Sequence, residues 1–98
     1  MSQFKNVISI KKWGSRLAGK PSAKALRQKC EKGLIPGATL VINMAGVKDI
    51  TPGFAQECFG KLYVIAKEKK SAIEFSHVDN DGMATIIMNG ILAEKSPR

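Results

Sequence analysis

The apolar positions of the chain change their spacing several times, and each change predicts a new element. Phe4, Val7, Ile8 and Ile10 make a short β-prone run that ends at Lys11 and Lys12, and Trp13 to Leu17 reads as a second short strand or a turn. Gly19-Lys20-Pro21-Ser22 breaks that pattern, and Pro21 or Ser22 suits the first turn of a helix. The helix runs to about Leu34. Ala23, Leu26, Cys30 and Leu34 recur at steps of three and four, while Lys20, Lys24, Arg27, Lys29 and Lys32 take its other faces. Gly33 and Ile35-Pro36-Gly37 end it.

Ala38 to Met44 is a nearly continuous apolar, β-branched run, the pattern of a central strand covered on both faces. Ala45 to Ile50 follows as a loop with two apolar anchors. Thr51 before Pro52 reads as an N-cap with proline at the first helical position. The second helix carries Ala55, Cys58, Phe59, Leu62, Ile65 and Ala66 on one stripe, with Lys67, Lys69 and Lys70 where cations complement the helix dipole. Ala72 to Val78 alternates as a strand does, Asp79-Asn80-Asp81-Gly82 is a turn rich in capping residues, and Met83 to Glu94 is a last helix. The order β(β)αβαβα predicts one α/β layer of about four mainly parallel or mixed strands with three helices and right-handed crossovers. The tail Lys95 to Arg98 is expected to fray.

Composition fits this picture. Ninety-eight residues, 44% of them apolar, can bury one core, so the chain is expected to be a single domain with an ordered core of roughly residues 7–93. No apolar run approaches the ~20 residues that span a bilayer, and Met1-Ser2-Gln3-Phe4-Lys5 lacks the features of a signal peptide, which makes the cytosol the expected compartment. Cys30 and Cys58 each fall in an expected helix, unlike a redox pair or zinc knuckle; both read as reduced core residues, with a disulfide as the alternative.

Charge adds a new element. The net charge is +8, and residues 1–32 hold nine bases and one acid, whereas the bases and acids of residues 33–98 cancel. An excess confined to the first third of the chain points to an acidic partner surface or a nucleic-acid backbone, or else to a solvated face.

Chemistry of the usual catalytic kinds has little to work with. His77 is the only histidine, so a histidine-rich metal site and a Cys-His pair lack support, and a partly exposed structural role at a strand end is the simpler reading. The glycines form neither GxGxxG nor a P-loop, and Asp79-Asn80-Asp81-Gly82 lacks calcium-loop spacing, with Gly90 at the twelfth position. No cofactor and no metal are expected, and the protein is expected not to be an enzyme.

The segment Val41-Ile42-Asn43-Met44-Ala45-Gly46-Val47-Lys48-Asp49-Ile50-Thr51-Pro52-Gly53-Phe54-Ala55-Gln56-Glu57 resembles the strand, loop and helix start of STAS domains, the anti-sigma-factor antagonist family. In particular it is similar to the STAS-like domains of unknown function, which carry an apolar strand, a Gly-Val loop, an Ile-Thr/Ser turn and then Phe-Ala-x-Glu. The likeness extends more weakly through the basic first helix and through Phe75 to Asn80, covering most of residues 7–92. The resemblance implies a module that docks on a histidine-kinase-like ATPase or another regulator, with phosphorylation at the start of the second helix as the switch. Here the phosphorylated serine's position falls on Gly53, which has no hydroxyl, and the acidic residue two places earlier falls on Thr51. Phosphotransfer to the usual site is therefore excluded. Thr51 is left as a candidate acceptor, because a phosphate at a helix N-terminus meets unpaired N–H groups, with ordinary capping as the simpler reading.

Two functions compete. The first is a protein-binding regulatory module that meets its partner through the first helix and through Gly46, Val47, Thr51, Pro52, Gly53, Phe54, Gln56 and Glu57. In it Phe54 is either an exposed aromatic anchor or a boundary core residue. Its partner is an ATPase, a kinase or another acidic protein. The second is nucleic-acid binding, directed at the phosphate backbone, through Lys11, Lys12, Arg16, Lys20, Lys24 and Arg27, with Trp13 as a stacking candidate.

Overall fold

The computed structural model describes residues 4–95. Three parallel strands, β1 (Phe4–Ser9), β3 (Ala38–Asn43) and β5 (Ala72–Ser76), form the main sheet in the order β1-β3-β5. A second, two-stranded parallel sheet pairs β2 (Arg16–Leu17) with β4 (Asp49–Ile50). The expected short second strand is thus β2, and the expected 45–50 loop ends in its partner. Of the tail expected to fray from Lys95, that residue instead closes the last helix, and residues 96–98 lie outside the described residues.

Four helical segments cover the main sheet: α1 (Lys20–Glu31), α2 (Pro52–Ala55), α3 (Lys61–Glu68) and α4 (Asp81–Lys95). Ala23, Leu26 and Cys30 of the first helix's expected stripe are buried in α1, which ends at Glu31; Leu34 lies in the turn beyond it and is buried all the same. Thr51 caps α2 as its sequence predicts, its Oγ1 accepting from the Phe54 N–H at 3.3 Å. Asn80 does the same for α4, its Oδ1 accepting from the Met83 N–H.

The strand expected to be covered on both faces is central but covered on one. Leu40 and Ile42 are buried, whereas Thr39, Val41 and Asn43 between them are half-exposed. They continue three rows across the sheet, Lys5–Thr39–Ala72, Val7–Val41–Glu74 and Ser9–Asn43–Ser76, and no residue of these rows is buried. The cause is topological. Both connections step the same way across the sheet, so crossovers of one hand lay α1 and the α2–α3 helices on the same side, and α4 packs against α2.

The second helix also departs from a uniform period. A π-helical turn, Gln56–Gly60, joins α2 to α3 with the backbone helical on both sides. α4 crosses at that turn with almost no side chain between the backbones: a Cβ on Gly60 would lie 2.5 Å from the Gly90 carbonyl oxygen, and one on Gly90 would lie 2.8 Å from the backbone of Ala55 and Gln56. Beneath it, Phe54, Phe59 and Phe75 stack edge to face, with ring centroids 6.1 and 5.1 Å apart.

Candidate functional site

Because the three main strands are parallel, their C-terminal ends share one edge, where open α/β sheets bind their ligands. Lys11 to Trp13 leave β1 there as a single 3-10 turn, Ala45 to Lys48 leave β3, and His77 leaves β5 with a left-handed φ of 59°. α1 begins at the same edge, since a crossover helix runs back against its strands. The sequence offers the basic cluster and the 46–57 turn as separate candidates, and the fold sets them side by side. The aliphatic stem of Lys11 packs over Gly46, its Cγ 3.2 Å from where a Cβ there would stand. Gly46 itself has φ +87°, a conformation that side chains rarely adopt. Lys20 shares a cleft of about 180 Å³ with Gly53, Gln56, Glu57 and Lys61. Arg16 reaches Asp49 at 3.4 Å across the small sheet.

Three of the expected contact residues are not surface groups. Phe54 is 1% exposed and Val47 is buried, so both are core. Phe54 looked peripheral because an uninterrupted α-helical period places it beside the stripe of Ala55, Cys58 and Leu62; the π turn alters that phase and brings it inward. Glu57 is engaged within the protein: Arg27 Nη1 donates to its Oε2 at 2.8 Å and to its backbone carbonyl at 2.9 Å, and Lys61 Nζ stands 3.1 Å from its Oε1. Arg27 accordingly leaves the basic patch. Its side chain is 14% exposed, and its Nε faces Glu31 at 3.6 Å, too far for a hydrogen bond. Hydrogen bonds from Lys61 and then Arg27 hold the Glu57 carboxyl below the usual carboxylate value.

What remains at the edge is Gly46, Pro52, Gly53 and Gln56, all exposed, and a half-exposed Thr51, flanked by Lys11, Lys12, Arg16, Lys20 and Lys24. Lys11, Lys12, Lys20 and Lys24 have no ion pair among the described residues, and Gln56 donates to Glu94 at 2.9 Å. α1 opens on Gly19 with no side-chain cap and no acid in its first turn, so Lys20 sits at the end of the helix that repels cations, with Lys24 one turn on. The Thr51 hydroxyl is used as the α2 cap. Trp13 packs its ring against the core.

Cys30 and Cys58 are free and buried; burial pushes the Cys30 thiol up to about 12 and the Cys58 thiol higher still. Among the described residues, no three His, Cys, Asp or Glu side chains gather as a metal site, and no helix is long and apolar enough to cross a membrane.

A one-sided parallel sheet whose basic edge carries a capped helix start defines a small α/β module of the STAS-like kind. The profile of the STAS-like domain of unknown function family (DUF4325) matches residues 22–83, and the chain belongs to that family. No curated protein and no solved structure matches the chain.

Proposed function

We propose that this domain is a non-catalytic regulatory module that docks, through the turn at Gly46 and Thr51–Gln56 and the lysines around it, on an acidic surface of a protein such as a histidine-kinase-like ATPase. The supporting observation is the uncompensated charge. Among the described residues, Lys11, Lys12, Lys20 and Lys24 crowd one edge without an ion pair, Lys20 at the wrong end of a helix dipole, an arrangement that an acidic partner would relieve. Nucleic-acid binding would use the same charges, but Arg27 is committed to Glu57, which removes one phosphate contact from that reading.

The test is affinity purification from the native host under nuclease treatment, repeated with Lys11→Glu, Lys20→Glu and Lys24→Glu combined. The expected result is an acidic protein retained by the native chain and lost by the variant, with binding weakened between ~50 and ~200 mM salt. Retention of every partner by the variant would refute the docking edge, and a nuclease-sensitive complex that shifts DNA or RNA at the lower salt would transfer the function to nucleic acid.

A further inference from the structure

Among the described residues, the outer edge of β1 is open. β1 pairs there with β3 alone, and Ile10 donates to the Asn43 carbonyl. Since successive residues of a strand direct their backbone groups to opposite sides, Asn6 and Ile8 serve the β3 ladder, and the N–H and C=O groups of Lys5, Val7 and Ser9 face outward without partners among the described residues. Exposed edges are usually blunted by a bulge, a proline or a charge over the edge. None acts here: the β1–β3 register runs one to one from Phe4 to Ser9, the strand holds no proline, and Lys5 is drawn across the open face to Glu74 at 3.5 Å.

A groove of about 770 Å³ lies beside this edge, between β1 and α1. Asn6, Val7, Ile8 and Trp13 line its strand side, and Lys29 and Lys32 stand on its helix side with no acid in the lining. Val7 is 67% exposed. The other free edge, at β5, adjoins an apolar groove of about 190 Å³ that holds no charge to select an occupant.

From these features we infer that the β1–α1 groove receives an extended acidic segment of a partner protein, which adds to the sheet as a strand beside β1. The exposed ladder supplies main-chain hydrogen bonds, Val7 takes alternate apolar side chains on the bare face, and Lys29 and Lys32 select the intervening carboxylates on the helix side. This surface is separate from the docking turn, so the two readings fail independently.

The experiment uses the ¹⁵N-labelled domain and a blocked peptide of about seven residues alternating valine with glutamate. Binding is expected to shift the amides of Lys5, Val7 and Ser9 and slow their exchange, with little change at Asn6 and Ile8. N-methylation of alternate peptide amides is expected to weaken binding about tenfold, the loss of an intermolecular hydrogen bond or two. Lys29→Glu combined with Lys32→Glu should do the same, whereas charge reversal at Lys11, Lys20 and Lys24 should leave the affinity within about twofold. Val7→Pro deletes one outward N–H and should abolish binding, while Val7→Thr keeps it. The inference is overturned if the peptide does not bind, if N-methylation has no effect, if the same amides become protected without peptide as protein concentration rises, as pairing of two copies would produce, or if a short DNA strand shifts them instead.

Discussion

Arg27 shows how a residue can look like surface charge and act as structure. It bridges α1 to the π turn through Glu57, so Arg27→Ala should remove about 2 kcal/mol of stability by chemical denaturation, the value of hydrogen bonds to a charged group. Its carboxylate partner adds a pH dependence of definite sign. The Glu57 carboxyl is depressed in the folded state, so its contribution is complete above the unfolded glutamate value of about 4.3 and is lost as pH falls through the lower folded value. Glu57→Gln should flatten that acid limb in a urea titration run from neutral pH downward. Neither role was legible in sequence, because the two residues are 30 positions apart and Arg27 falls in line with five genuinely exposed bases.

Among the elements, the helix stripes, the Thr51 cap and the three main strands follow from spacing alone, since each element buries one face and the period reports that face directly. The π turn does not. It depends on the approach of α4, through Gly60 and Gly90, which are about thirty residues apart and carry no periodic signal. Gly90→Ala would gain helix propensity but press its Cβ into the Ala55–Gln56 backbone; the overpacking wins, and a loss of about 2 kcal/mol is expected on thermal melting. Gly53→Ala is the matched control. Its Cβ would meet open space, so the melting temperature should hold or rise slightly.

At the scale of the whole molecule, the one-sided sheet separates shielding by cover from shielding by pairing. β3, hydrogen-bonded on both sides, should show the slowest amide exchange in the sheet despite its wet face, and Lys5, Val7 and Ser9 of the free protein the fastest. Slow exchange at those three amides would mean that the edge is covered. The parallel order was legible from alternating strands and helices, but the bare face was not, because valine and threonine serve equally in a buried strand and in a half-wet one between neighbours. The candidate edge was legible in half: composition located its charges, and only the fold showed which of them already have partners. The π turn, finally, takes up one residue more than an α-helical turn would hold. Deleting one residue between Gln56 and Gly60 would therefore leave an ordinary α-helix whose two ends keep their present phase, because the wide turn absorbs the extra residue instead of passing its roughly 100° on to the flanks. Phe54 would stay in the interior and the Thr51 turn would keep its direction, whereas deleting a residue from α2 or α3 would rotate one against the other and expose that ring.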